Sequence, residues 1–598
     1  MIGSAIGEIL HRDLRAYQNI GGERRSVECR YQVKGNELRF IVGEYDSNLP
    51  LIVDPIVAST YLGGSGSEYE TSVAVDPTGS IVVAGQSQSF NFPTTSGAWQ
   101  TPLTMYTGSY VSKLNSDLGS FVFSTYFGGS NGTTHVWDVA VNQSGNIFLC
   151  GRDNSLDFPA TPGVVGPVAV SYPESFVTVF NSSGTSLIYS TLITGSQHNG
   201  LSELAVDVTG SVYAAGYFGP SEYLKLNPTG SAILFSGTIA NGLILGLALS
   251  NAGELVLCGM TGSAQFPATP GAFRTTYSGG GLDGFVLRLD AAGGSIVAAT
   301  YLGGTGSDQA LGVALNSIGQ IVVVGTTQSL DFPTTPGSYD LSHNGGGDGF
   351  IATFSPDLSM LISATYFGGS GGETIRSVGI FPDNRLVISG VTTSVDLPLT
   401  TGAPDATLMG LEGMVAVFDQ GSTGVYYSTY LGGSMSDDIF SHAIMSSAMI
   451  VVGGVTQSVD FPITPGVVDP TTPGGVEGFL TLLQIPGATT SSDHSRNNGS
   501  ASTFEMGNYP NPFNTGTYIR FMLSEASDVT ISVHTMDGKE VGQLSRSFRF
   551  PGTHEVWWDG RGVDGARVPA GWYLLSITGG FLRDASHWWH VRPMIKTN

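Results

Sequence analysis

The phrase STYLGG at residues 59–64 returns along the chain with small variations. Its copies are STYFGG (124–129), ATYLGG (299–304), ATYFGG (364–369) and STYLGG (428–433). Tyrosines of neighbouring intact copies lie 65, 65 and 64 residues apart, and a weaker copy with Leu192 at the tyrosine position follows 66 residues after Tyr126. The chain is therefore predicted to be an array of structural repeats.

Each repeat contains four short apolar segments separated by Gly, Pro, Asp and Ser, the pattern of an antiparallel four-stranded sheet. In the first repeat, SVAVD (72–76) and SIVVAG (80–85) flank an Asp-Pro-Thr-Gly turn, where Pro presets φ and Gly accepts a positive φ. Two more predicted strands, SYVSKL (109–114) and SFVFSTYF (120–127), follow a Pro-containing loop. A period near 65 residues is typical of one β-propeller blade with long loops.

Seven repeats are predicted from the third-strand signal, a small residue followed by an apolar or aromatic one. The signal residues are Tyr110, Phe176, Tyr223, Phe285, Phe350, Met414 and Phe479. The seventh repeat lacks a fourth strand, and the strand at 56–62 precedes the first repeat without a repeat of its own. The N-terminal strand is predicted to complete the last sheet and close the ring, because exposed edge strands invite aggregation.

On these phrases, residues 56–485 resemble the bacterial seven-bladed β-propeller repeat proteins. The resemblance implies an all-β, seven-bladed propeller. It implies no particular activity, because function depends on the site and not on the fold.

The composition excludes some partners. A net charge of −24, with 48 acidic and 24 basic residues, argues against nucleic acid, which requires a clustered basic face. No apolar run is long enough to span a bilayer. Cys150 and Cys258 occupy the same place in two repeats and are predicted to be small buried packing residues, not a disulfide. We expect a monomer.

Residues 1–55 are predicted to be the remnant of a β-rich domain that precedes the propeller. Their strand-like segments are 27–33, 37–42 and 51–54. Charged residues such as Glu8 and Arg12 stand where a signal peptide would have its apolar core, so we expect an N-terminally truncated piece of a longer protein.

A second domain is predicted at 504–598, after a Ser-, Thr- and Asn-rich linker at 486–503. Its strand-like segments are 517–523, 528–535, 553–558 and 571–578, which suggest a small β-sandwich. Four segments of this domain resemble two overlapping families, the C-terminal sorting domains of type IX secretion substrates and the immunoglobulin-like domain of flagellar hook-capping proteins. The segments are YPNPFN, TYIRF, MDGKEV and VPAGWY.

That resemblance implies export through the type IX machinery to the medium or the outer-membrane surface of a Gram-negative bacterium. The sorting motif it implies comprises Tyr509, Pro510, Asn511, Pro512 and Phe513. The chain departs from the family in its ending: 583–598 contains Trp588-Trp589-His590 in place of a short basic strand.

Acidic residues recur in two places of the repeat. Asp157, Asp331, Asp396 and Asp460 precede the Phe/Leu-Pro of the long loop. Glu68, Asp308, Glu373 and Asp437 follow the Gly-Gly pair. We interpret both sets as turn caps and not as calcium ligands, because no dense Asp-x-Asp-x-Asp loop is present. The sequence predicts no catalytic, cofactor or metal residue, and no cofactor.

The leading functional hypothesis is a secreted or surface-displayed binding or structural module without enzymatic activity, whose ligand is an extracellular glycan or protein. The alternative is an extracellular propeller enzyme that acts on polysaccharide. An enzyme would require acids, His or Arg that break the repeat symmetry on one rim, since a catalytic site occurs once.

Overall fold

The computed structural model describes most of the repeat region and parts of both flanking regions. The described residues are 2–4, 7–9, 16–20, 23–27, 29–34, 37–43, 52–53, 56–100, 108–168, 173–193, 200–216, 221–293, 295–400, 403–472, 475–485, 506–509, 516–523, 527–535, 539–549, 552–562, 565–569, 571–581 and 587–596. Every secondary-structure element assigned within these residues is a β-strand. A search of these residues finds no apolar helix of membrane-spanning length.

Short strands precede the repeats. They are β1 (Ile2–Ser4), β2 (Gly7–Ile9), β3 (Ala16–Ile20), β4 (Glu23–Val27), β5 (Cys29–Lys34), β6 (Glu37–Val42) and β7 (Ile52–Val53). β1 pairs with β2, β3 pairs with both β4 and β7, and β5 pairs with β6. The strand predicted at 27–33 is thus divided between β4 and β5.

The repeats form seven four-stranded antiparallel sheets within residues 56–484. Sheet 1 comprises β9 (Glu68–Val75), β10 (Ile81–Ser87), β11 (Gly108–Leu114) and β12 (Phe121–Phe127); sheet 2 comprises β13 (Thr134–Val141), β14 (Ile147–Asp153), β15 (Glu174–Phe180) and β16 (Leu187–Ile193); sheet 3 comprises β17 (Glu203–Val206), β18 (Val212–Gly216), β19 (Glu222–Leu226) and β20 (Ile233–Thr238). Sheet 4 comprises β21 (Leu243–Leu249), β22 (Leu255–Thr261), β23 (Asp283–Leu289) and β24 (Ile296–Leu302); sheet 5 comprises β25 (Asp308–Leu315), β26 (Ile321–Thr327), β27 (Asp348–Phe354) and β28 (Leu361–Phe367); sheet 6 comprises β29 (Glu373–Ile380), β30 (Leu386–Thr392), β31 (Glu412–Phe418) and β32 (Val425–Leu431).

Sheet 7 takes its fourth strand from the other end of the repeat region. It comprises β33 (Asp437–Ser446), β34 (Met449–Thr456), β35 (Glu477–Gln484) and the early strand β8 (Ile56–Leu62). β8 pairs antiparallel with β35, with Tyr61 opposite Phe479. The hydroxyls of Ser59 and Thr481 lie 2.9 Å apart across this pair. The pairing predicted for residues 56–62 is therefore present.

The first strand of each sheet contacts the first strand of the next, and β33 of sheet 7 contacts β9 of sheet 1. Side chains link these strands. The Ser72 hydroxyl donates to Asp138 Oδ1 at 2.8 Å, joining sheets 1 and 2. The Val73 amide donates to Ser441 Oγ at 2.9 Å, joining sheets 1 and 7. The first and last sheets therefore contact each other as successive sheets do.

The tyrosine of the repeated phrase explains why the phrase recurs. Each tyrosine is buried against the core of its sheet, and its hydroxyl donates to a carbonyl in the loop after the second strand. Tyr126 donates to the Ser89 carbonyl at 2.6 Å and accepts from the Phe92 amide at 2.8 Å. Two backbone hydrogen-bonding groups of the buried loop thereby gain a partner. The same side chain fixes the distance between the fourth strand and the loop.

The C-terminal region is a separate compact unit, with the division between residues 490 and 491. One sheet comprises β36 (Met506–Tyr509), β37 (Thr517–Leu523) and β40 (Gly552–Trp558); the other comprises β38 (Ser527–Thr535), β39 (Glu540–Arg549), β41 (Gly571–Phe581) and β42 (His587–Lys596). Ile519, Phe521 and Trp558 of the first sheet pack with Ile531 and Leu575 of the second.

Three strands of this unit, β36, β39 and β42, were not predicted from the sequence. β39 is polar and lacks an apolar alternation that would mark it. β42 contains Trp588-Trp589-His590 and pairs with β41, with Thr578 opposite Trp589. Residues 587–596 thus form an edge strand of the second sheet.

Candidate functional site: paired carboxylates at the sheet junctions

Carboxylates from neighbouring sheets meet at one end of the strands. In sheets 1, 5, 6 and 7 the first strand begins with a fully buried acid, namely Glu68, Asp308, Glu373 or Asp437. The third strand of the preceding sheet begins with a second buried acid, respectively Glu477, Asp283, Asp348 or Glu412. First and third strands run in the same direction in these sheets, so both acids lie at the same end.

The first glycine of the repeated Gly-Gly pair makes room for these carboxylates. A Cβ on Gly63 would lie 2.0 Å from Glu477 Oε2 and 2.6 Å from Glu68 Oε2. At Gly432 it would lie 2.6 Å from Asp437 Oδ2 and 3.1 Å from the Glu412 carboxyl carbon. Any larger residue would displace the carboxylates, so this glycine serves close approach and not only the turn.

Hydroxyl groups at the end of the second strand satisfy part of each pair. Ser87 and Ser89 donate to Glu68 Oε1 at 2.8 and 2.6 Å. Other oxygens of the pairs have no hydrogen-bond partner among the described residues. They include Asp348 Oδ1 and Glu412 Oε2. Other acids of the pairs have further partners: Glu477 bonds to the Thr472 and Glu68 side chains, Asp437 to Thr456 and Glu68 to the Gly64 amide. Turn capping therefore does not account for the whole arrangement.

Burial and like charge disfavour ionisation at these junctions. Burial, reinforced by the charges of Glu68 and Asp469, raises the pKa of Glu477 to about 8. Burial, with Asp405 and Asp437 nearby, raises the pKa of Glu412 to about 7. The pKa values of Glu68, Asp283, Asp308, Asp348, Glu373 and Asp437 are also raised, chiefly by burial.

The acids of the long loop behave as the sequence predicts. Asp331 Oδ1 accepts from the Thr305 amide at 2.7 Å and from its hydroxyl at 2.9 Å. Asp396 and Asp460 make the same pair of bonds with Ser370 and Ser434. The turn-cap interpretation is confirmed for them, and the hydrogen bonds lower their pKa values.

One junction opens into a cavity. Between sheets 6 and 7, a cavity of about 480 Å³ is lined by Asp405, Glu412, Tyr430, Gly432 and Asp460, among others. The walls are formed by the repeated phrase and the two acidic loops, so the cavity belongs to the same carboxylate face.

The loop tips beside these junctions present exposed apolar side chains at one repeated position. Exposed fractions are 70% for Leu156, 80% for Leu330, 74% for Val395 and 71% for Val459. Each directly precedes an Asp that caps the turn, so the cap holds the apolar side chain outward. The same loop position is therefore apolar and exposed in four repeats.

The first strands carry residues that do not repeat. Asp138 accepts from the Ser72 hydroxyl and, through Oδ2, from the Leu204 amide at 2.8 Å. Burial raises its pKa to about 6, and burial beside Asp138 raises the pKa of Glu203. Arg376 pairs with Asp438 at 2.8 Å. Asp138 thus joins three successive sheets, which is a structural role.

The sequence predicted one member of each carboxylate pair and missed the other. A signal was present: each missed acid stands in an acid-Gly-apolar phrase, as in Asp283-Gly284-Phe285 and Glu477-Gly478-Phe479. The phrase marked only the third strand, because the partner acid lies in another repeat and the pairing is visible only in three dimensions.

Other predicted residues are placed as follows. Cys150 and Cys258 are buried free thiols, in agreement with the prediction. Tyr509 lies in β36, opposite Tyr518, whereas Pro510, Asn511, Pro512 and Phe513 lie outside the described residues, as does the linker 486–503. Within the described residues, no group of three or more His, Cys, Asp or Glu side chains is arranged to hold a metal ion.

Comparison with known proteins gives matches at both ends of the chain. Residues 1–56 match a family described as domain of unknown function DUF7948. A curated relative, the regulatory protein FlaEY of Caulobacter vibrioides, is 30% identical over 234 residues, covering 36% of this chain and 23% of its own length. The chain thus spans about a quarter of that relative.

Similar solved structures include a protein of unknown function from Dyadobacter fermentans (13% identity, TM-score 0.37, covering 72% of this chain and 98% of that one). Another is Raptor of Chaetomium thermophilum, with 10% identity and a TM-score of 0.40, covering 72% of this chain and 29% of that one. A third is the WD40 β-propeller domain of Doa1, with 10% identity and a TM-score of 0.38, covering 72% of this chain and 97% of that one. At the C-terminal end, residues 511–580 match the FlgD Ig-like domain family, and this part of the chain is an FlgD Ig-like domain.

Proposed function

We propose that the seven sheets form a closed seven-bladed β-propeller of the bacterial propeller-repeat kind, and that this propeller is a non-catalytic binding or structural module at the cell surface or in the medium. Closure is supported by the β8–β35 pairing and by the contact of β33 with β9. Both contacts connect the beginning of the repeat region with its end.

The observation that carries a binding role is the repeated exposed apolar residue on the carboxylate face. Four equivalent positions of the repeat share this exposure, namely Leu156, Leu330, Val395 and Val459. A partner that covers this face, an extracellular glycan with apolar sugar faces or a surface protein, would bury them together.

We expect the triple variant Leu330→Ser, Val395→Ser, Val459→Ser to lose at least 10-fold in binding to a ligand identified by glycan array or on immobilised surface proteins. The matched control is Val208→Ser with Ile318→Ser, two exposed residues (96% and 65%) in turns at the opposite strand ends. Equal loss in the control, or full binding by the triple variant, would move the binding site elsewhere.

An extracellular polysaccharide-degrading enzyme remains the alternative, because Asp138, Glu203 and Arg376 break the repeat symmetry. Against it, both oxygens of Asp138 already accept hydrogen bonds from neighbouring strands. Turnover of a polysaccharide that Asp138→Asn abolishes without unfolding the protein would favour the enzyme.

The C-terminal unit is proposed to direct export through the type IX machinery, with its YPNPFN segment as part of the recognised surface. The resemblance at 504–580 and the separate compactness of this unit support the proposal. We expect residues 504–598, fused to a reporter with its own signal peptide, to bring the reporter to the surface or medium of a type-IX-competent host. The reporter alone should stay periplasmic; export of both to the same extent would leave the unit without a sorting role.

A further inference from the structure

The cavity between sheets 6 and 7 contains a buried carboxylate oxygen that lacks a hydrogen-bond donor. Glu412 lines the cavity and is fully buried. Its Oε1 accepts from the Met409 amide at 2.6 Å, whereas its Oε2 has no hydrogen-bond partner among the described residues. The ion pairs formed by described residues do not include Glu412 either. A buried carboxylate oxygen in this state is stabilised by a donor, and most strongly by a charged one.

Between sheets 4 and 5, the chain fills the equivalent place with one of its own side chains. The Arg274 amide donates to the Thr300 hydroxyl at 2.9 Å. The Arg274 guanidinium donates to the Gly303 carbonyl, and its charge favours the ionised forms of Asp283 and Asp331. At this junction, a guanidinium therefore lies beside the acid that begins a third strand.

Between sheets 6 and 7, an aspartate occupies the position of that arginine. The Asp405 amide donates to the Thr429 hydroxyl at 3.3 Å, the bond that Arg274 makes in its own junction. Glu412 stands at the position of Asp283 in the repeat, and both Asp405 and Glu412 line the cavity. The cavity therefore lies at the place that the Arg274 side chain fills between sheets 4 and 5.

The walls of the cavity fit a cation on an apolar stem. Met409 and Ile463 supply apolar surface, and the exposed Asp460 supplies a second carboxylate. Hydrogen bonds from the amide and hydroxyl of Ser434 lower the pKa of Asp460, so this carboxylate is ionised at neutral pH. An arginine packs its methylene stem along apolar surface while its guanidinium bonds to carboxylates. The volume of about 480 Å³ also lies within the range of roughly 300–1,000 Å³ for ligand pockets.

We propose that the cavity between sheets 6 and 7 binds an arginine side chain of a protein partner, whose guanidinium takes the place that Arg274 fills between sheets 4 and 5. Glu412 Oε2 accepts a hydrogen bond from this guanidinium, and Met409 packs against the methylene stem. The inference rests on the binding role proposed above and names the partner as a protein, because neutral sugars carry no cation to complement the two carboxylates. Val459 directly precedes Asp460, so one partner would cover both the exposed apolar loop and the cavity.

The first test measures binding of a capped tripeptide, with arginine between two glycines, to the full chain by calorimetry at pH 8. At this pH Glu412 is ionised, because burial and the neighbouring acids raise its pKa to about 7. The same tripeptide with citrulline keeps the shape and removes the charge, and the one with lysine keeps the charge without the planar fork. We expect the arginine peptide to bind at least 10-fold more tightly than either. Equal binding of the arginine and citrulline peptides, or of the arginine and lysine peptides, would overturn the proposal.

The second test places the binding in the cavity. Glu412→Gln removes the charge and keeps the shape, so it should weaken binding of the arginine peptide at least 10-fold. The matched control is Asp383→Asn, which neutralises an acid of the same sheet at the opposite strand ends, where it pairs with Arg385 at 2.8 Å. The control should bind as the wild type does. Undiminished binding by Glu412→Gln, or an equal loss in the control, would contradict the assignment.

Asp405→Arg provides an independent check, because its backbone makes the same bond as that of Arg274. The introduced arginine should fill the cavity from within, abolish binding of the peptide and raise the melting temperature by several degrees. Unchanged peptide binding by Asp405→Arg would overturn the inference. If the arginine peptide did not bind while the triple variant of the apolar loops still lost its ligand, the arginine site would be wrong and the binding role would stand.

Discussion

A chain that begins at residue 64 is expected to aggregate or to lose most of its thermal stability, whereas a chain that begins at residue 56 keeps a four-stranded seventh sheet. The shorter chain lacks β8, and β35 becomes an unpaired edge that can recruit another molecule. It also loses Tyr61 and Leu62, which are 2% and 0% exposed. Apolar burial by these side chains alone contributes about 3–6 kcal/mol.

Melting temperature and light scattering of the two truncations at equal concentration check this expectation. Starting at residue 56 separates the contribution of β8 from that of residues 1–55. If the chain from residue 64 stayed monomeric and melted at the same temperature as the longer one, the pairing of β8 with β35 would not be what stabilises sheet 7.

The substitution Gly325→Ala, which adds a single methyl group, is expected to destabilise the protein by about 3 kcal/mol or more. This is the upper end of the cost of overpacking a core. A Cβ there would lie 1.8 Å from the Gln309 carbonyl oxygen and 2.9 Å from the Phe350 ring. The obstacle at 1.8 Å is backbone of the neighbouring strand, which no change of rotamer can remove.

Gly262→Ala is the matched control, because its Cβ would meet its nearest neighbour at 3.5 Å, an ordinary contact. Urea unfolding of both variants measures the difference between their free energies of unfolding, provided that the transition stays cooperative. A Gly325→Ala variant as stable as the control would show that the two strands separate easily. Gly151 and Gly259 occupy the same position and approach the preceding strand as closely, at 1.9 and 1.8 Å.

Much of the architecture could be predicted from local chemistry. The spacing of the Tyr-x-Gly-Gly phrase and its turns gave four strands per repeat, and the structure has them. The missing fourth strand of the last repeat predicted the pairing of residues 56–62 with β35, which is present. Asp331, Asp396 and Asp460 cap turns as predicted: each bonds to the loop after the Gly-Gly pair, 26 residues earlier, and the repetition of both loops reveals it.

The candidate site depended on the tertiary structure. Glu68 and Glu477 are 409 residues apart in the chain, and only the contact between the first and last sheets brings them to Gly63. Sequence periodicity reports which residues are equivalent, not which ones from different repeats meet. Whether a carboxylate is a solvated turn cap or a buried, unpartnered charge is decided by desolvation, which depends on the neighbouring sheet and leaves no mark in the local pattern.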